Sequence, residues 1–409
     1  MLNIAIFTFN QEGQVFCGRG GVLHDDDSSP STCSLQKDTH CLEPKFVPQV
    51  MKQLDIASGS EEADILCVCL QESATQDKTL AAFDERLLAT GKWLPPLSST
   101  SAACDLQNSP APLDSEVRST SRTTRQRMQI WLKQSVHQQY LLCTSQPLHV
   151  PSLSAKFLLR PTKETSCQMI LFMPRLALNT TTTLSSASSA KSGPFIMVFL
   201  NSHLPSGEKD AKGRIADMER VWKDVVVARN QFLKSAKAAV NGSGAAIVHD
   251  LSVLEEKQQL IPTTFFWAGD LNFRNVDDNL QPKAKVVESN KDQLYQRVLS
   301  RPPNDARNIQ LPDLRECTLE FSPTCKLKRG KCAFVSGKQK PAEEKKCYNS
   351  KRTPSSCDRI LYTTLFPRPS SSTRINVTCA LYDSIRIGGI ECSDHAGVIG
   401  KFVYNRFST

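Results

Sequence analysis

Short apolar runs rich in Ile, Val and Phe recur along this chain, at residues 2–9, 65–70, 169–173, 195–200, 264–268, 360–366, 378–387 and 397–404. Each has the length of a strand. Many strand-length runs must be buried together, against one another as stacked sheets or beneath helices. Helical periodicity falls between some of them. Residues 46–57 and 291–299 are candidate helices. From about Asp210 to Val240, Ile215, Met218, Val221, Trp222, Val225 and Val226 recur at helical spacing. Strands interleaved with helices predict a layered α/β fold.

The chain has 409 residues, 40% of them hydrophobic, enough for a sizeable core. Three stretches read as low-complexity inserts: 96–127, rich in Ser, Thr and Pro; 179–194, with a Thr run and a Ser/Ala run; and 241–250, small and polar. Such compositions bury little apolar surface. No repeat and no clean boundary divides the chain, so residues 1–409 are expected to form a single catalytic domain.

Fifty Lys and Arg against 41 Asp and Glu leave a net charge of +9, which suits an anionic partner. The surplus is concentrated between Lys326 and Arg352, a segment with ten basic residues and two Glu. Cysteines number 15, and several lie inside apolar runs, as Cys67 and Cys69 do. They read as small core residues in a reducing compartment and not as a disulfide framework. No apolar run reaches the ~20 residues of a membrane span, and no secretory signal is visible. A cytoplasmic protein is expected.

The polar residues beside the runs carry the chemistry. Asn10 ends the first run and Gln71-Glu72 the second. Asn201-Ser-His203 follows 195–200, Gly269-Asp-Leu-Asn272 follows 264–268, and Ser393-Asp-His395 precedes 397–404. Loops at strand ends are where layered sheets build sites. Hard Mg²⁺ prefers oxygen ligands, often one or two carboxylates. Glu72 is the candidate ligand, with Asn10 beside it. Asp270 would orient or deprotonate an attacking water, and Asn272 would hold that water or a phosphate. His203 and His395 would donate hydrogen bonds to phosphate, with Asp394 fixing the tautomer of His395. Taken singly, each also fits a solvated residue or an Asx turn. Their occurrence together, in order, carries the reading.

Together these segments resemble the ordered motifs of the endonuclease/exonuclease/phosphatase superfamily, which includes DNase I-like nucleases, abasic-site endonucleases, sphingomyelinases and inositol polyphosphate 5-phosphatases. The 5-phosphatase branch is the most similar. Pro354-Ser-Ser-Cys-Asp-Arg-Ile-Leu361 resembles its P-[AS]-W-C-D-R-[IV]-L signature, Phe321-Ser-Pro-Thr-Cys-Lys326 resembles F-x-P-T-Y-K, and Asp292-Gln-Leu294 falls between the motifs as expected. The chain departs from the branch at Ser356 for Trp, Cys325 for Tyr and Ala396 for Lys, and it lacks the glycine-rich segment before the Asn-Ser-His strand.

The resemblance implies a four-layer DNase I-like sandwich of two mixed β-sheets flanked by helices. It implies Mg²⁺ as cofactor and hydrolysis of the 5-phosphate of a phosphoinositide or soluble inositol polyphosphate. Peripheral contact with an anionic membrane would suit the basic segment, and no nucleic-acid partner is expected. By position, Lys326 and Arg352 would bind the neighbouring phosphate. Asp358 and Arg359 would shape the floor of the substrate site, a structural salt bridge being the other reading. The alternatives are a phosphodiesterase of the same superfamily, either an abasic-site nuclease or a sphingomyelinase, and a non-catalytic phosphoinositide-binding relative.

Overall fold

The computed structural model describes residues 1–11, 46–54, 56, 62–74, 78–97, 124–152, 163–175, 193–206, 211–242, 261–273, 311–328, 347–349, 354–365, 373–385 and 393–408. In chain order its elements are β1 (Leu2–Asn10), α1 (Phe46–Gln53), β2 (Ile65–Ala74), α2 (Thr79–Ala89), β3 (Thr124–Leu132), α3 (Gln134–Gln139), β4 (Tyr140–Thr144), β5 (Leu148–Pro151), β6 (Glu164–Pro174), β7 (Phe195–His203), α4 (Ala211–Gly242), β8 (Thr263–Asp270), β9 (Arg315–Glu316), β10 (Asp358–Leu365), β11 (Thr373–Ile385) and β12 (Gly397–Ser408).

The strands form two mixed sheets. One has the order β11-β12-β1-β2-β3, and only β1 and β2 run parallel. The other has the order β4-β6-β7-β8-β10-β9, with β5 pairing β6 beyond β4 and only β7 and β8 parallel. Each parallel pair carries its C-terminal ends to one end of its sheet, and β10 and β12 start there because they run antiparallel to β8 and β1. That arrangement gathers the polar strand ends.

Ile4, Ile6, Phe199, Phe266, Ile360 and Phe402 fill the space between the sheets. On one outer face Phe46, Val50 and Phe83 of α1 and α2 pack on Phe7 and Val68. On the other, Met218, Trp222 and Val225 of α4 pack on Phe265 and Trp267. The result is the expected four-layer sandwich of the DNase I-like type. Inner strands covered on both faces show no apolar–polar alternation, which is why β7 and β8 are buried at every residue.

Each apolar run is a strand or lies within one, apart from the final residues of 360–366 and 378–387, which lie outside the described residues. The helix expected over 46–57 ends at Gln53 and the long one runs to Gly242, so Asn241 and Gly242 belong to α4 and not to an insert. The insert expected over 96–127 gives way at Thr124 to β3, whose Gln126 and Ile130 are buried. Residues 291–299 and most of the three inserts lie outside the described residues. Among the described residues no helix is long and apolar enough to cross a membrane.

The reading of the cysteines needs one correction. Cys67, Cys69, Cys167, Cys325 and Cys357 are buried free thiols. Cys317 and Cys379, however, form a disulfide, and Cys143 and Cys347 are also bonded. Cys317 follows β9 and Cys379 lies in β11, the edge strands of the two sheets. The sandwich brings them together across 62 residues of sequence, a proximity that spacing alone does not reveal.

The inter-sheet layer sets the stability of the assembly. Phe402 is buried, with its ring centroid 5.2 Å from that of Phe266 and 5.3 Å from that of Tyr362. Phe402→Ala should cost about 3–5 kcal/mol, the usual loss for a buried aromatic, measured as a lowered urea midpoint with an unchanged slope.

Candidate active site

The site is built at the end of the sandwich where β1, β2, β7 and β8 finish. Asn10 and Gln71 are register partners at the ends of β1 and β2, and His203 and Asp270 at the ends of β7 and β8. Asp358, the first residue of β10, pairs with Asp270. Ser393 and His395 lie just before β12, and the Ser393 hydroxyl donates to the Asn10 carbonyl at 2.6 Å.

Backbone geometry marks the same place. Among the described residues, the only non-glycine positions with positive φ are Glu72, at 49°, and Asn272, at 53°. A left-handed Glu is uncommon, and strain of this kind clusters where function over-determines the backbone. Glu72 sits at a register irregularity between Leu70 and Ser73. Gly269 has φ 137°, and a Cβ there would meet the Ser202 carbonyl oxygen at 2.0 Å. Glycine thus lets β8 approach β7 just before Asp270.

The side chains converge. Asp270 Oδ2 accepts from Asn10 Nδ2 at 2.9 Å, and its Oδ1 accepts from the Asn272 backbone N–H at 3.0 Å. The Asn272 amide donates to the Leu204 carbonyl. His203 Nε2 lies 3.3 Å from Asp270 Oδ2 and 3.5 Å from Glu72 Oε1. Asp270, Asp358 and His395 present ligand atoms all within 4.8 Å of one another. Glu72, His203, Asp270 and His395 therefore share one cluster.

The geometry gives Asp394 and Arg359 specific partners. The carboxylate that orients His395 is Asp358, whose Oδ2 lies 2.8 Å from Nδ1 and also accepts from the Thr324 hydroxyl at 2.7 Å. Asp394 instead pairs with Lys326, its Oδ1 lying 3.5 Å from His395 Nε2. Arg359 realises the salt-bridge reading. It is buried, forks onto the Glu316 carboxylate, donates to the Ser356 carbonyl and lies over the Phe273 ring. Those contacts join β9 and β10 through its guanidinium. Arg352 and Asp292 lie outside the described residues.

Sequence reasoning missed Lys163. Its ammonium contacts His203 Nε2 and lies 3.7 Å from Glu72 Oε1. The available signal was a Lys at the entry to the strand that pairs with the His203 strand. It also missed the part played by Gln71 and Asn201, both fully buried, which hydrogen-bond across the two sheets at 2.6 Å.

A family model matches residues 175–401 of the chain, from before β7 to within β12. The chain belongs to endonuclease/exonuclease/phosphatase family 2. Members of this superfamily are hydrolases acting on phosphoester bonds and generally use divalent metal ions. The match includes His203, Asp270, Asn272, Asp358 and His395; Asn10, Glu72 and Lys163 lie outside it. No curated protein matches the chain significantly. Among solved structures, Cimex nitrophorin in its ferrous NO complex aligns at 13% identity and TM-score 0.42, covering 100% of this chain and 99% of its own. TDP2 from D. rerio, complexed with single-strand DNA product, aligns at 13% identity and TM-score 0.42 over 98% and 99%. The human Nocturnin catalytic domain with bound sulfate aligns at 10% and 0.37 over 98% and 95%. Scores this low carry no argument about function.

Burial alone would lower the pKa of His395. The Asp358 carboxylate outweighs it, helped by Asp270 and Asp394, and pushes the imidazole from 6.5 up to about 10. A group raised on folding contributes stability that is fully present below its unfolded pKa and is lost as pH rises through the folded one. In metal-free buffer, His395 should therefore make stability fall between about pH 6.5 and 10. His395→Gln should flatten that slope in thermal melts across this window.

Proposed function

We propose that this chain is a Mg²⁺-dependent phosphomonoesterase that removes the 5-phosphate from an inositol polyphosphate or a phosphoinositide, with residues 1–409 forming one catalytic domain. The observation that supports the 5-phosphate reading is where the two branch-like segments stand. Asp358 of the Cys-Asp-Arg block holds His395 Nδ1 at 2.8 Å, and Lys326 of the Pro-Thr-Cys-Lys segment pairs with Asp394 beside the same imidazole.

The donor set fits a hard divalent ion. Glu72, with Asn10 near it, offers an oxygen-rich position, and the buried Asp270, Asp358 and His395 cluster lies beside it. When bound, Mg²⁺ polarises the phosphoryl oxygens and offsets developing charge. Asp270, fixed by Asn10 and the Asn272 N–H, takes or steers the proton of the attacking water. His395, charged and braced by Asp358, donates from Nε2 to a phosphoryl oxygen, as does His203. Preorganised donors of this kind act most strongly where charge develops. Lys326, and by sequence position Arg352, hold the adjacent phosphate. A partly exposed Lys acts there as a point charge.

The test is phosphate release from a panel of inositol phosphates and phosphoinositides, with and without Mg²⁺. Asp270→Asn should lower kcat by roughly 10²–10⁴-fold with little change in KM, as expected for loss of a proton acceptor. Lys326→Ala should cost about 1.5–3 kcal/mol on 4,5-bisphosphorylated substrates and much less on those lacking the 4-phosphate. Equal loss on both would remove Lys326 from the recognition of that phosphate. Cleavage of phosphodiesters with no release from the panel would overturn the monoesterase reading in favour of a phosphodiesterase. Absence of any hydrolysis would favour a binding module.

A further inference from the structure

Lys163 has no part in the chemistry described so far, yet it is 7% exposed and stands inside the metal-proximal cluster. Its backbone is anchored away from the site, the carbonyl accepting from the Ser152 N–H at 2.9 Å. The ammonium reaches Glu72 Oε1 at 3.7 Å and touches His203 Nε2. On the far side of that nitrogen, Asp270 Oδ2 lies at 3.3 Å. One buried cation is thus set against the side chain read as the metal ligand and against a histidine read as a phosphate donor.

Two conflicts follow from elementary chemistry. An ammonium only donates, so its contact with His203 requires Nε2 to accept. The His203 proton then sits on Nδ1, a buried atom with no hydrogen-bond partner among the described residues. In that arrangement His203 has no Nε2–H to give a phosphate. Second, Lys163 and a divalent ion at Glu72 would place like charges within a few ångströms at a partly buried carboxylate, where repulsion is stronger than in bulk water. A neutral residue could fill the same space without either cost.

We propose that Lys163 competes with the metal: its ammonium and a divalent cation bind Glu72 in mutually exclusive arrangements, so that metal loading expels Lys163 and releases His203 Nε2 for the substrate. The inference rests on the reading of Glu72 as the metal ligand. It makes Lys163 a positioning residue that couples metal arrival to readiness of the phosphate donor. Lys163 keeps the carboxylates compensated when the metal is scarce, and it lowers metal affinity as a consequence.

The test is Mg²⁺ binding to the full chain by calorimetry, with thermal melts in EDTA and in Mg²⁺. Lys163→Met should bind Mg²⁺ roughly tenfold more tightly than wild type, equivalent to about 1.4 kcal/mol. It should melt lower in EDTA but not in saturating Mg²⁺. Lys163→Arg keeps the charge and should stay near wild type, and Lys163→Gln serves if the Met variant does not fold. Glu72→Gln tests the underlying reading separately and should abolish binding. If binding survives Glu72→Gln, the metal assignment falls and this inference falls with it. If Glu72→Gln abolishes binding while Lys163→Met binds with unchanged or weaker affinity, the competing-cation role alone is overturned.

Discussion

One buried amide pair bridges the two sheets directly behind the candidate site. Gln71 Nε2 donates to Asn201 Oδ1 at 2.6 Å, and Asn201 Nδ2 donates to the carbonyls of Leu70 and Arg127. Gln71 belongs to one sheet and Asn201 to the other. Glu72 follows the first by one residue and His203 the second by two. The inter-sheet core is apolar and non-directional, so it sets the spacing of the sheets but not their registration at the polar end. An amide carries both a donor and an acceptor. Gln71 and Asn201 share one hydrogen bond and find their other partners in Thr8 and the Leu70 and Arg127 carbonyls, and a slip in registration would leave buried polar groups unpaired at a cost of about 1–3 kcal/mol each.

Around that clasp the polar end is stiffened by mutual use. Thr8 exchanges hydrogen bonds with Gln71, Asn10 and the Asn272 N–H hold Asp270, and Ser393 ties the His395 turn back to Asn10. Neighbouring elements therefore share each constraint. The left-handed backbone of Glu72 is held between the paired residues Leu70 and Ser73 of β2. The apolar layers supply the stability that such strain and buried charge consume.

The strands were legible because a strand covered on both faces is written as an unbroken apolar run, and the runs' polar ends supply the residues of the candidate cluster. The amphipathic α4 was legible for the same reason in helical form. Less visible were β3, β4 and β5, which are short or half-polar, and β9, which is two residues long and exists only through its pairing with β10. At the site, residue types pointed to the cluster, but partner choice did not follow from sequence. Asp394 is the neighbour of His395 in the chain, while Asp358 is its neighbour across the strands, and geometry favours the second. Lys163 and the Cys317–Cys379 bond depend likewise on approaches that only the assembled sheets create.

The Gln71–Asn201 hydrogen bond joins the sheet that carries Glu72 to the sheet that carries His203 and Asp270, and so assembles the candidate site. A double-mutant cycle of Gln71→Ala and Asn201→Ala tests it most directly, read by urea unfolding and by Mg²⁺ affinity. The account predicts strong coupling, about 1–3 kcal/mol in stability as for other buried hydrogen-bonded neighbours, and either single variant should lose as much Mg²⁺ affinity as the double. Additive losses in stability, with Mg²⁺ binding intact in the single variants, would contradict it.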